Sequence, residues 1–393
     1  MKQSVIMKLR LAGLVTMVLG SVLVLGMVVF INRFADDGIE IESADGNTVQ
    51  GCYIGTDVTG TLPAGKAPVG SALALGLGSA GLALIIGLWF LSQLGWGFLP
   101  FILVGAVFVL GYTDALARVD KLASTWRSDS ELSRFNAANS TDWVEVSADF
   151  CGALADALQI SRDTSGAFDV TVGPLVNLWG FGPDGPVVEP PSDSDIERAL
   201  QRVGFEKVHT DCERSIARKD DAAVYVDLSG WAKGLAVDVV ATVLDDSQID
   251  NYLVEIGGEL RVSGHNSERR KWSVAIEAPS TSQRVPHAIV RVTDTSVATS
   301  GDYRNYFAHE NQRYSHTIDP RTGRPVTHDL AAVTVIHAVN AYADAMATAL
   351  LVLGPENGPS LARDLGIAAY FLVRRPGGIE EIVTPQFDQL IAS

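Results

Sequence analysis

The sequence predicts an α+β domain over residues 113–393, preceded by a membrane anchor over residues 1–112. Three observations carry this. After about residue 113, strand-like alternation and helix-like periodicity succeed one another irregularly. Several strand signals are neighbours in hairpin fashion, which favours α+β over a doubly wound sheet. Seven polar, glycine-rich patches interrupt the apolar runs: DSELSRFN (129–136), GAFDVTVGPLVNLWGFG (166–182), VDLSGWAKG (226–234), EIGGEL (255–260), TSGDYRNY (299–306), SHTIDPRTGRPV (315–326) and ADAMATA (343–349). Three nearly uncharged apolar runs come before them.

Residues 11–31 and 70–91 are each long enough to cross the roughly 30 Å hydrocarbon core of a bilayer, and 95–112 is a third, shorter run. The competing readings are buried core helices for all three and a cleaved signal peptide for the first, which follows Lys2, Lys8 and Arg10. No small-residue cleavage site follows the first run, so a retained span is expected. The three basic residues place the N-terminus in the cytoplasm. The loop 32–69 carries Asp36, Asp37, Glu40, Glu42, Asp45 and Asp57 against Arg33 and Lys66, and suits the outside. Three crossings then put everything after about residue 113 on the periplasmic side of an inner membrane, with Arg118 and Lys121 a weak signal to the contrary.

The domain elements follow in order. Residues 113–125, 148–161 and 193–203 show helical spacing, the last with Ser192 or Asp193 as N-cap. Residues 223–228 alternate like a strand, and 233–244 form a helix after the glycines. Strands are expected at 252–256, 272–278, 287–293 and 331–337. A strongly apolar helix over 341–353 ends at Gly354, and 368–373 closes the sheet. No internal repeat or low-complexity segment is evident.

The chain has 393 residues, 47% of them hydrophobic, and a formal net charge of −16. Its acidity argues against nucleic acid as partner, because neutralising phosphates needs a surplus of Lys and Arg. A phosphate-bearing small molecule is still compatible, given a local cation. Cys52, Cys151 and Cys212 allow at most one disulfide and suggest neither zinc nor an iron–sulfur cluster.

A core does not require the polar patches, since glycine and unpaired carboxylates are costly inside helices and strands. Several loops meeting at one polar site do require them. Asp344 and Thr348 are spaced i, i+4 on one helix face, and a carboxylate with a hydroxyl is a hard-oxygen pair suited to Mg²⁺. The alternative is an acidic residue favoured by the helix dipole, with Thr348 on the surface. VDLSGWAKG reads as a strand, a small-residue turn and a helix start, whose N–H groups can meet phosphate oxygens. It lacks the spacing of a Walker A loop. Lys233 pairs with a phosphate or is a solvated helix lysine. Phe168, Trp179 and Phe181 lie among glycines, as a planar ring entering beside backbone would require, or as a loop pinned by a buried aromatic, the reading favoured for Trp179. His316 belongs to the site or is a satisfied loop histidine.

Taken in order, from about Leu122 to about Gly366, these patches resemble the ApbE family, the FAD:protein FMN transferases. The resemblance implies an ApbE-like α+β domain and an Mg²⁺-dependent transfer of FMN from FAD to a threonine hydroxyl of an acceptor flavoprotein, with release of AMP. It places the metal on Asp344, Thr348 and the main-chain oxygen of Gly230. It places FAD contacts at Trp126, Ala167, Phe168, Asp169, Asp227, Lys233 and Ile318, and makes Asp344 and His316 the catalytic pair. Ser300, Asp302 and Arg304 read as supports of the site. Acceptors in the family include subunits of membrane electron-transport complexes, which suits an enzyme tied to lipid by N-terminal helices. The alternatives are an FAD pyrophosphatase and a membrane-anchored flavin-binding or assembly protein without turnover. One departure stands out: no Met-Gly-Thr strand precedes Leu122, and the third apolar run takes its place.

Overall fold

The computed structural model describes residues 39–43, 48–52, 99–280, 285–310 and 312–392, with side chains from Gly111 to Leu390. The chain divides into two units, Met1–Gly60 with Val119–Ser393, and Thr61–Arg118. Of the second unit the described part is helical: helix α1, Leu99–Ala123, begins there and ends in the first unit.

The first unit opens with strands β1 (Ile39–Ser43) and β2 (Thr48–Cys52). After α1 come α2 (Glu131–Ala137), β3 (Val144–Glu145), α3 (Ala148–Asp163), α4 (Gly173–Leu178), α5 (Asp193–Leu200), β4 (Val208–Asp211) and β5 (Ile216–Lys219). Then follow α6 (Ser229–Asp246), β6 (Tyr252–Ile256), β7 (Glu259–Ser263), β8 (Trp272–Glu277), β9 (Pro286–Val292), β10 (Thr295–Gly301), β11 (Tyr306–His309) and β12 (Gln312–Ser315). The chain continues through β13 (Ile318–Asp319), β14 (Arg324–Pro325), β15 (Leu330–His337), α7 (Asn340–Asp364), β16 (Ala368–Arg375), β17 (Gly378–Val383) and α8 (Pro385–Ala392).

An eight-stranded antiparallel sheet in the order β17-β16-β15-β10-β7-β6-β1-β2 organises this unit. Its central strands are covered on both faces, so β15 and β16 read as nearly continuous apolar runs. Val333, Val335, Ala369 and Phe371 face one cluster, which includes Phe150 and Leu154 of α3, Trp231 of α6, and Met346 and Leu350 of α7. Ala332, Ile336, Tyr370 and Leu372 face a second cluster with Trp272, Val274 and Val290 of the β8–β9 hairpin and Phe387 of α8. Side chains pointing to alternate faces explain this division. A third cluster joins Leu175, Trp179, Ile196, Ala199 and Ile318.

Local chemistry sets the helix starts. The hydroxyls of Ser130, Ser147 and Ser192 cap α2, α3 and α5 by accepting from the N–H three residues on. Gly354, with φ +80° and ψ −175°, interrupts α7 where the periodicity ends, and Pro355 starts its second half.

Two expectations are corrected. Residues 223–228 form no strand, because Asn136 takes both main-chain groups of Val226. Its Nδ2 donates to Val226 O at 2.7 Å, and its Oδ1 accepts from Val226 N at 2.7 Å. Residues 368–373 do not close the sheet, since β17 pairs outside β16. The acidic 32–69 loop holds a strand without Met-Gly-Thr: the alternating IEIES of β1 pairs with β6 through Ile41 and Val254. The apolar runs 11–31 and 70–91 lie outside the described residues, and 95–112 overlaps α1. Among the described residues no helix is long and apolar enough to cross a membrane.

A disulfide joins Cys151 of α3 to Cys212, just after β4, with the two Cα atoms 5.5 Å apart.

Candidate active site

The site forms where α6 and α7 meet. Asp227 sets the start of α6: its N–H donates to Val170 O at 2.7 Å, and its Oδ1 accepts from Ser229 N at 2.8 Å. Gly234 allows the helices to touch. A Cβ there would lie 2.5 Å from Asn340 O and 2.6 Å from the Ala341 Cα, so only bare backbone fits. This closeness brings Asp344 of α7 onto α6. Its Oδ2 accepts from Gly234 N at 3.1 Å, and its Oδ1 accepts from Lys233 Nζ at 3.0 Å. In a regular α-helix the Gly234 N–H belongs to Gly230 O, so that carbonyl shares or loses its usual donor.

Lys233 has a second partner, Glu259 Oε1, at 2.6 Å. The β6–β7 hairpin delivers this carboxyl through the Gly257–Gly258 turn, where φ is +62° and +99°. Two consecutive positive φ values are what a type I′ turn demands. The Asp344 and Glu259 side chains are 2% and 3% accessible, whereas that of Lys233 is 46% accessible: its stem faces solvent and its ammonium sits between the carboxyls. Glu259 Oε2 has no hydrogen-bond partner. Burial raises the pKa of both carboxyls against the attraction of Lys233. The Asp344 charge adds to the rise at Glu259, which is pushed up to about 8. For Lys233 burial opposes the charge, but the two carboxylates outweigh it and hold its pKa above the ordinary lysine value.

Thr348 lies one turn past Asp344 on the same face of α7. Its Oγ1 is 3.0 Å from Ser300 Oγ at the end of β10. Gly230 stands opposite, since a Cβ on it would lie 3.6 Å from Thr348 Oγ1 and 3.3 Å from Phe168 Cε2. Phe168, Gly230, Lys233, Glu259, Ser300, Asp344 and Thr348 thus make one cluster. Among the described residues no three His, Cys, Asp or Glu side chains are grouped to hold a metal. Asp344 and Thr348 carry a carboxylate and a hydroxyl on one face of α7 with the Gly230 backbone opposite, donors of the hard-oxygen class that Mg²⁺ takes.

His316 is partly buried beside this cluster. Its main-chain N–H and its Nδ1 reach the same acceptor, Asn305 O, at 3.0 and 3.1 Å. A carbonyl only accepts, so Nδ1 carries the proton and Nε2 is left with its lone pair. Burial lowers the His316 pKa and the Lys233 ammonium adds to this, while Asn305 and Asp302 work the other way. The Asn305 loop is pinned through Asp302, whose carboxylate accepts from both terminal nitrogens of Arg374 on β16, at 2.7 and 2.5 Å.

The remaining sequence candidates are dispersed. Ala167 is buried in the first apolar cluster with Phe168. Asp169 is buried and its oxygens are committed: Oδ1 accepts from Thr171 N and Oγ1 at 2.7 and 2.6 Å, and Oδ2 from Phe205 N at 3.0 Å. Ile318 is buried in the third cluster. Trp126 is 65% exposed at the surface. Sequence reasoning assigned no role to Glu259, Gly234, Asn136 or Asn305. The Gly-Gly pair of EIGGEL was the available signal for the first, because a tight turn ahead of a carboxylate aims it.

A sequence profile of the ApbE family matches residues 108–371. The FAD:protein FMN transferase of Vibrio cholerae serotype O1 is 43% identical over 277 residues, 70% of this chain and 82% of that protein. The protein of the same description from Escherichia coli K12 is 39% identical over 276 residues, 70% of this chain and 79% of its own. Among solved structures, the flavin transferase ApbE from Vibrio cholerae superposes with a TM-score of 0.67 at 39% identity, covering 72% of this chain and 90% of that one. The flavinyl transferase ApbE from Pseudomonas stutzeri, in its apo form, gives 0.67 at 41% identity, covering 73% and 89%.

Proposed function

The chain belongs to the ApbE family, and from that premise we propose that it transfers FMN from FAD to a threonine hydroxyl of an acceptor protein and releases AMP. The observation that carries the reading is the meeting of α6 and α7, which gathers Gly230, Lys233, Asp344 and Thr348 at a helix start. Helix starts favour phosphate oxygens, and Lys233 adds a cation there. Asp344, Thr348 and the Gly230 carbonyl would hold Mg²⁺, whose charge neutralises the pyrophosphate when bound. Phe168, packed against Gly230, borders the flavin nucleotide, and Asp227 shapes the backbone where α6 starts.

His316 Nε2 takes the proton of the acceptor hydroxyl. The acceptor oxygen bonds to the phosphorus of the FMN half. The bridging P–O bond to the AMP half breaks, and AMP departs with the bonding pair. We also propose that the enzyme works outside the cytoplasm, anchored to lipid by its N-terminal apolar runs, on an acceptor in a membrane redox complex. The Cys151–Cys212 bridge supports an oxidising compartment.

The test is AMP release from FAD by the full chain, with and without Mg²⁺ and acceptor, together with flavin fluorescence on the denatured acceptor. Metal-dependent AMP matched by labelled acceptor supports the reading. AMP formed equally well without acceptor would replace transfer by hydrolysis, and no AMP under any condition would leave a flavin-binding protein.

A further inference from the structure

We propose that Glu259 is a positioning residue for the FAD pyrophosphate, acting through Lys233: it keeps the ammonium in the site when Asp344 is engaged by another charge. This rests on the reading of Lys233 as a phosphate-binding group.

The first reason is energetic. Glu259 is almost wholly buried, and together with Asp344 it sets two carboxyls against one ammonium. The fold has no need of a carboxyl at the first residue of β7, opposite Ile256, where an apolar side chain would cost less to bury. One of its oxygens is left without a partner, so the residue is not part of a closed structural network.

The second reason is geometric. A Cβ on Gly257 would lie 3.4 Å from Lys233 Cδ and 3.5 Å from Glu259 Oε2, so the lysine stem runs along the hairpin turn that carries Glu259. Asp344 already accepts from Gly234, and its other oxygen is the one shared with Lys233. A divalent cation at roughly 2.1 Å from that oxygen would compete with the ammonium. Glu259 holds the shorter of the two lysine contacts and has no second duty. With Glu259 as pivot, the ammonium keeps two donors for phosphate oxygens. Without it, a long, half-accessible side chain would have to be ordered by the substrate alone.

The test is a double-mutant cycle in the full chain: Lys233→Met, Glu259→Gln and the double variant. The readout is FAD affinity from flavin fluorescence with Mg²⁺ and no acceptor, beside the thermal midpoint of each variant. Each single change is expected to weaken FAD about tenfold, the scale of one charge-assisted hydrogen bond, and the double variant to bind no worse than Lys233→Met. Additive losses, roughly a hundredfold in the double variant, would overturn the proposal. So would wild-type affinity in Glu259→Gln, whatever its midpoint. If Lys233→Met binds FAD like the wild type, the phosphate-binding reading of Lys233 falls, and the role of Glu259 falls with it.

Discussion

Asp344 does most at the scale of single residues. It is buried, joined to Lys233 and Gly234, and proposed as the one side-chain carboxylate on the cation. Asp344→Asn is expected to keep the fold and lose Mg²⁺-dependent AMP release by at least about a hundredfold, the scale of losing electrostatic stabilisation of a transition state. Full activity in that variant would remove Asp344 from the chemistry. His316 yields a pH prediction. Its lowered pKa means that it stays neutral, and able to accept a proton, below the ordinary histidine value of about 6.5. The acid limb of kcat/KM should therefore lie under that value, and a limb at or above it would contradict the role of His316 as base. Glu259 affects stability in the opposite sense. A carboxyl with a raised folded pKa binds more protons in the folded state. Its contribution is full below the ordinary glutamate pKa and is lost as pH rises through about 8. Thermal midpoints of Glu259→Gln should fall less than those of the wild type across that window. These residues were unevenly legible in the sequence. The i, i+4 pair Asp344 and Thr348 is a local pattern, whereas Glu259 meets Lys233 only through the folding of a distant hairpin.

Among the elements, two contacts decide whether the site exists. The first is the approach of α6 and α7 at Gly234. Gly234→Ala would press a methyl into the Asn340 and Ala341 backbone, which cannot yield as a side-chain tip can. A loss of about 1–3 kcal/mol in urea unfolding is expected, with FMN transfer falling further than stability because Asp344 shifts. The second is the Asn136 clasp on Val226, one residue before Asp227. Lys219, 1% exposed, secures it by donating to Asn136 O and Ala222 O, both at 3.0 Å. Asn136→Ala would leave two main-chain groups unpaired, and unfolding measurements should show a loss of about 2 kcal/mol or more. An unchanged midpoint would mean that water replaces the clasp. The clasp also explains why 223–228 alternates like a strand and is not one: its partner is a side chain from a helix, which no period in the sequence announces.

For the molecule as a whole, the Cys151–Cys212 bridge closes a separation of 61 residues that contains α4, α5, β4 and the GAFD patch. Chain-entropy reasoning puts its contribution at about 4 kcal/mol. Reduction, or replacement of both cysteines by alanine, should lower the urea midpoint accordingly. A reduced protein of unchanged stability would show that the unfolded chain is already constrained there. The sheet is antiparallel throughout, and its middle strands are buried on both faces between two apolar clusters. The candidate site lies at the edge of the first of these clusters, where Phe168 packs against Gly230 at the start of α6.

Composition, period and spacing were enough for the α+β class, the cap at the Ser192–Asp193 pair, the longer helices, five of the strands, and the α7 pair on which the metal reading depends. All of these are local, and depend on residues a few positions apart. The strand order, the β1–β2 edge, the Cys151–Cys212 pairing and the union of Glu259, Lys233 and Asp344 were decided by the tertiary structure alone. The physical reason is range. A buried carboxyl becomes a functional group only through the charges that packing sets beside it, and here those charges come from three elements far apart in the chain.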